Sequence, residues 1–173
     1  ILSLANGSPV IIPSQDIVLG LYHMTVERSF MKGEGKIFTD PWEVIAAYDA
    51  KCIDLHARIK VRIEGQIVDT TPGRVLVGQL LPDNVPFFLV NQVMTKKTIA
   101  GLVSEVYRRA GTKATVILCD RLKDLGYELA TQAGVTIGVK DLQIPSSKEG
   151  LLTAAHNEVD DIERQWREGI ITK

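Results

Sequence analysis

Seven basic residues, Lys96, Lys97, Arg108, Arg109, Lys113, Arg121 and Lys123, fall between positions 96 and 123. Only two acidic ones, Glu105 and Asp120, accompany them there. Cations at that density raise the local concentration of anions and bind phosphate oxygens. Beside a channel, they would draw triphosphates in and hold RNA phosphates. Such a run is more often the solvated face of a helix, and spacing alone leaves both readings open. A second place for chemistry is Gln15 with Asp16. They follow Val10-Ile11-Ile12-Pro13, which reads as a short buried or edge strand, and Ser14, which stands where an N-cap belongs. The free N–H groups of a helix start can face an anionic ligand. The plainer reading is an ordinary strand-to-helix connection.

Other chemistries find little support. His23, His56 and His156 are scattered without HxxxH or His–Cys spacing, so no metal site is expected. Cys52 and Cys119 are far apart, outside any CxxC pattern, and read as core residues of a protein kept in a reducing compartment. No serine has a nucleophile-elbow context, and the glycines form neither a P-loop nor a GxGxxG. The net charge of −1 makes any electrostatic argument local. With no bilayer-length apolar run and no signal peptide, no membrane partner is expected and the localisation reads as cytoplasmic. A start at Ile1 suggests a piece of a longer polypeptide.

The elements that must position these residues predict an α+β fold, mainly helical. Asn6-Gly7 reads as a turn. Ile17, Leu21 and Met24 mark a first helix, and 25–40 is a polar, glycine-bearing loop. Asp40 and Pro41 cap and open a helix to about Tyr48. From Leu55 to Ile63 apolar residues alternate with His56, Arg58, Lys60 and Arg62, a strand with one basic face. The turn at Glu64-Gly65 leads Gln66–Thr71 back as an antiparallel hairpin. Pro72-Gly73 opens a helix running through Leu80-Leu81 to Pro82, and Phe87-Phe88 plug the core. Thr95 caps a helix of period 3.6 that Gly111 closes. Residues 114–118 suit a strand by propensity, while Leu122, Leu125, Leu129 and Ala133 continue a helical stripe to Gly134. Residues 135–144 read as extended.

The last element opens on a capping box of Pro145, Ser146 and Glu149. Leu152, Ala155, Val159, Ile162 and Trp166 recur at spacings of three and four over an acidic body. That pattern is one arm of a helical hairpin or short coiled coil, an apolar seam that needs a partner. The domain boundaries read as 1–144 for the main domain and 145–173 for this arm.

An ordered series of short matches covers essentially the whole chain. It begins with Asn6-Gly7, Pro9, Ile12-Pro13-Ser14-Gln15-Asp16 and Gly20-Leu21-Tyr22, and continues through Gly33-Glu34-Gly35, Leu55-His56-Ala57-Arg58, Thr70-Thr71 and Gly73-Arg74. Val90-Asn91-Gln92, Lys96-Lys97, Tyr107-Arg108, Ala133-Gly134 and Ile144-Pro145 complete it. The series resembles the beta-prime subunit of bacterial DNA-directed RNA polymerase, in the pore domain just after the catalytic magnesium loop.

The resemblance implies a helix through 112–133 and makes the C-terminal helix half of a projecting hairpin on the secondary-channel rim. It places Lys96 and Lys97 on the wall of that channel, where nucleoside triphosphates enter and backtracked RNA leaves. Gln15 and Asp16 match a position near the RNA 3′ end. Lys113 and Asp120 match part of a pocket for a guanosine tetraphosphate alarmone, shared with the omega subunit. Asp124 replaces the aromatic residue expected there, and a carboxylate repels a polyanion, so this reads as a remnant. No catalytic residue or cofactor is expected in this chain; Mg2+ would be held by an aspartate-rich loop upstream of Ile1. Implied partners are the alpha, beta and omega subunits, triphosphates, the RNA transcript, the DNA template and secondary-channel regulatory factors. A different class also fits the seam: a non-enzymatic adaptor docking a partner helix along Leu152–Trp166.

Overall fold

Asp40, Thr71 and Thr95 each precede a run that can turn helical, and each side chain accepts a hydrogen bond from the backbone N–H three residues on. In the computed structural model, which describes residue 7 and residues 10–172, these caps open α2 (Pro41–Asp49), α3 (Pro72–Gly78) and α4 (Lys96–Ala133). Before them stands α1 (Asp16–Thr25), and after them α5 (Lys148–Arg167). Strands β1 (Ile37–Phe38), β2 (Ile59–Ile63) and β3 (Gln66–Thr70) form one sheet in the order β1-β2-β3. β2 and β3 are the expected antiparallel hairpin, with Val61 opposite Val68, and β1 joins β2 in parallel. The architecture is α+β, as the residue pattern predicts.

The chain divides into two compact units, Ile1–Val135 and Thr136–Lys173. In the first, one cluster gathers Phe38, Val44, Ile53, Ala57, Ile59, Val61 and Val75 between the sheet, α2 and α3. The other gathers Leu21 and Met24 of α1 with Val77, Val90, Met94 and the apolar stripe of α4. Beside that second cluster α1 and α4 approach backbone to backbone. A Cβ on Gly20 would overlap the Gly126 carbonyl oxygen, and one on Gly126 would stand 2.8 Å from the Ile17 carbonyl oxygen. Two helices cross at that distance only where both residues lack a side chain.

α4 is two helical stretches run together. At Gly111 the backbone takes φ 76° and ψ −177°, then re-enters the helix at once. Gly111 therefore ends the first stretch, as expected, and the second begins directly after it. Local groups satisfy the disturbed carbonyls: Asn84 Nδ2 donates to the Arg109 carbonyl at 2.8 Å, and the Thr115 hydroxyl to that of Gly111 at 2.8 Å. Residues 114–118 are helical, because Thr115 and Leu118 face α1 and the core on the helical stripe. Tertiary packing outweighs their β propensity.

Several local expectations change. Residues 10–12 form no strand, and Val10 and Ile11 are exposed; an extended segment without a neighbouring strand has no ladder to join. Gln15, not Ser14, stands at the N-cap of α1, with no side-chain cap, because the chain makes its turn into the helix at Gln15, one residue later than expected. The loop of 25–40 contains β1, held by a backbone bond from Lys60 N–H to the Lys36 carbonyl at 2.9 Å. β2 starts four residues after Leu55, and His56 is buried, not on the basic face. Leu80 and Leu81 follow α3 as single i−3 turns. Phe87 packs on the core while Phe88 stays exposed. The turn expected at Asn6-Gly7 rests on Asn6, which lies outside the described residues.

In the second unit, residues 139–141 form a short 3-10 turn inside the stretch expected to be extended. The capping box at Ser146 and Glu149 does not form. Ser147 takes the N-cap place in a helical conformation whose side chain caps nothing, after a turn from Lys148 N–H to the Pro145 carbonyl. At the other end Gly169 has φ 75°, its N–H reaches Trp166 O and that of Ile170 reaches Gln165 O, the Schellman arrangement.

The crossing predicts opposite outcomes for two glycine replacements inside α-helices. Gly20→Ala should cost about 2 kcal/mol or more, since backbone must move to admit the methyl group. Gly101→Ala, exposed on α4 with nothing within 4 Å of its Cβ, should stabilise by about 0.5–1 kcal/mol. Urea unfolding of both variants checks the pair.

Candidate functional site

Lys96 and Lys97 are the first two residues of α4, directly after the Thr95 cap. Thr95 and Thr98 bond each other's backbone N–H groups, at 3.3 Å to Thr98 N and 2.7 Å to Thr95 N. This reciprocal box sets the direction in which the lysines leave the helix. Both are exposed, and neither has a carboxylate in salt-bridge range among the described residues. Two cations in a first turn oppose the positive end of the helix dipole. Lysine charge and N-terminal dipole thus add to one local positive field, which suits an anion.

The rest of the basic run does not converge on that point. Lys123 lies 26 residues beyond Lys97, on the far side of the break at Gly111. Arg108 and Arg109 both reach Glu105, at 3.4 and 2.6 Å, and the bond from Arg109 holds the Glu105 carboxyl below its ordinary pKa. Lys123 stands 3.8 Å from Asp120 and 3.3 Å from Asp124. Lys113 and Asp120 lie on one exposed stripe of α4 two turns apart, with Asp124 one turn further on. Lys123 therefore serves both Asp120 and Asp124, the carboxylates at the position where the resemblance implied an alarmone remnant.

Gln15 and Asp16 are exposed at the start of α1. Gln15 has φ 52° and ψ −124°, a region costly for a residue with a Cβ. α1 is anchored from its other end, where Thr25 is fully buried. The Thr25 hydroxyl donates to the Leu21 carbonyl at 2.8 Å and accepts from Met94 N–H at 2.9 Å. The Thr25 carbonyl accepts from Arg74 Nε at 3.0 Å. Burial lowers the Arg74 pKa, and Glu27 at 3.9 Å opposes that shift.

On α5, Leu152, Val159, Ile162 and Trp166 are about half exposed, and Ala155 is exposed with them. The seam has the expected spacing, and within its own unit nothing covers it.

The structure also joins residues that sequence reading kept apart. His23 of α1 and His56 of the loop before β2 meet edge to face, ring centres 4.7 Å apart and planes at 86°. His56 is 5% exposed, and its Nδ1 lies 2.9 Å from the Val26 carbonyl oxygen. A carbonyl only accepts, so Nδ1 carries the proton. His23 Nδ1 is buried without a partner. The two rings line a cleft of about 760 Å³ with Arg28, Lys32, Lys51, Asp49 and Asp54. Their separation of 33 positions left no signal in the spacing. Among the described residues no three His, Cys, Asp or Glu converge as a metal-binding group, and no helix is long and apolar enough to cross a membrane.

Comparison with known proteins places this geometry in context. The family model described as RNA polymerase Rpb1, domain 3, matches residues 1–142. Over all 173 residues the chain is 54% identical to the DNA-directed RNA polymerase subunit beta′ of Syntrophobacter fumaroxidans. The chain spans 13% of that relative's length.

His23 supplies a pH-dependent outcome. Burial first, then His56 and Arg28, hold its pKa below the ordinary 6.5, with Asp54 opposing. The unfolded chain thus takes up the proton at higher pH than the folded one. The stability tied to His23 is complete above about pH 6.5 and is lost as pH falls through the folded value. An NMR titration should find the His23 imidazole titrating below a free histidine, and His23→Gln should reduce the fall in unfolding free energy from pH 7 to 5.

Proposed function

The chain belongs to the family described as RNA polymerase Rpb1, domain 3, and from that premise we propose that it lines the secondary channel of a DNA-directed RNA polymerase beta′ subunit. The observation that carries the reading is the pair Lys96 and Lys97, exposed without a counter-charge at the N-terminal end of α4. A wall with that local field concentrates nucleoside triphosphates on their way in and accepts the phosphates of a backtracked RNA 3′ end. Its contacts are to phosphate, so they carry no sequence readout. Gln15 and Asp16, turned out from the strained start of α1, stand close to that 3′ end in this reading.

The reaction of the assembled enzyme would be nucleotidyl transfer, for which a bound Mg2+ would supply Lewis-acid chemistry. The described residues offer no carboxylate cluster that fits such an ion. In this reading the ligands of that ion come from other parts of the subunit, and this segment does not carry out the chemistry by itself. Its own residues position: they bind phosphate and leave the chemistry to others. The alpha, beta and omega subunits, the transcript and the template are the partners, in the cytoplasm. The α5 seam is covered by a partner helix on the channel rim, where regulatory factors dock, and Lys113 with Asp120 keeps only part of an alarmone pocket.

Reversing both charges, Lys96→Glu with Lys97→Glu, in the intact polymerase should raise the KM for nucleotides roughly tenfold at low salt. Transcript cleavage after backtracking should slow with it. Wild-type elongation and cleavage rates in that variant would remove the channel reading. For the seam, the isolated chain should self-associate at high concentration in equilibrium sedimentation, and Ile162→Asp should return it to monomer.

A further inference from the structure

The cleft beside the two histidines is not used by the channel reading, and its chemistry is specific. At about 760 Å³ it falls within the size range of small-molecule sites. Met31, Ile53 and Leu129 supply apolar wall. Three cations, Arg28, Lys32 and Lys51, line it. Lys32 Nζ gives one hydrogen bond to the Lys51 carbonyl at 2.7 Å and keeps the rest of its donor capacity. None of the three has a carboxylate in salt-bridge range among the described residues.

Two acids share the lining. Asp54 accepts the backbone N–H of His56 at 3.1 Å, which leaves Asp49 as the carboxylate without such a bond. His56 itself is a built feature of the site. It is more than nine-tenths buried, its Nδ1 proton is committed to Val26, and its Nε2 has no partner among the described residues. That nitrogen accepts from a hydroxyl or an amine. The tautomer is set by the protein, so the acceptor is in place before any ligand arrives.

We propose that this cleft binds a phosphate monoester of nucleotide size, with Arg28, Lys32 and Lys51 on the phosphate and His56 Nε2 accepting from a hydroxyl or amino group of the body. The shared chemistry is phosphate plus a hydrogen-bond donor; a nucleotide and a sugar phosphate both carry it. The site lies apart from Lys96 and Lys97 in sequence and in its lining, and it does not rest on the polymerase reading.

The test is a titration of the 173-residue chain with AMP, ribose 5-phosphate and adenosine, followed by the imidazole NMR signals. With AMP the signals of His56 and its neighbour His23 should shift in a saturable way, and adenosine should move them far less. An equal response to ribose 5-phosphate supports the site and assigns the donor to the sugar; a response to AMP alone supports it and assigns the donor to the base. Arg28→Ala with Lys32→Ala, both on exposed loop positions, should weaken AMP about tenfold or more while unfolding stays unchanged. His56→Gln, which also loses the bond to Val26, serves only as a second variant. Adenosine binding as well as AMP, undiminished binding in the double variant, or no shift with AMP at millimolar concentration would each overturn the proposal.

Discussion

The contact between α1 and the second half of α4 holds the first unit together, and it is made by backbone as much as by side chains. Gly20 and Gly126 let the two helices meet where a single methyl group would strike a carbonyl oxygen. Leu21 and Met24 can then reach the stripe of Leu118, Leu122 and Leu129 and lose all contact with water. Once α1 is seated, Thr25 is driven into the interior with its polar groups. Its hydroxyl and carbonyl meet Met94 N–H and the Arg74 guanidinium, tying the entry to α4 and the start of α3 to one helix end. An unpaired polar group at that depth is costly, so the network constrains position as well as contributing energy.

That anchoring decides what each end of the helices can present. α1 is held at Thr25, so its other end carries Gln15 and Asp16 outward after a sharp turn at Gln15 itself. α4 is held through Met94 and Ile99, so its first turn carries Lys96 and Lys97 outward from a capped start. In both cases the polar residues sit on an element end whose other side is packed into the core. Rigid support of this kind reduces the ordering that a contact at such an end would cost. The same seating of α1 brings His23 against His56 and so forms one wall of the cleft.

The basic run shows how charge in a sequence differs from charge on a surface. Counted along the chain, seven cations against two acids suggest one patch. On the helix, Arg108 and Arg109 are drawn to Glu105, and Lys123 stands between Asp120 and Asp124. Lys113 and Arg121 also stay without a carboxylate in range among the described residues, but the pair with the helix dipole behind it is Lys96 and Lys97. Exposed ion pairs like these add little stability, but they do decide which charges stay available to a partner.

Periodicity and turn chemistry were enough to determine the α+β class, the β2–β3 hairpin, the caps of α2 and α4 and the helical period of α5. Those features depend on residues close together in the chain. The ordered matches along the sequence carried the family for the same reason, since they need no contact to be read. Only the folded chain decided that residues 10–12 stay out of any sheet, that β1 joins β2, that a second helix follows Gly111 without a loop, and that His56 turns inward. It alone made a cleft from His23, His56 and the cations around them. Each of these rests on a neighbour distant in sequence, and a one-dimensional pattern holds no record of which distant groups will compete for the same space.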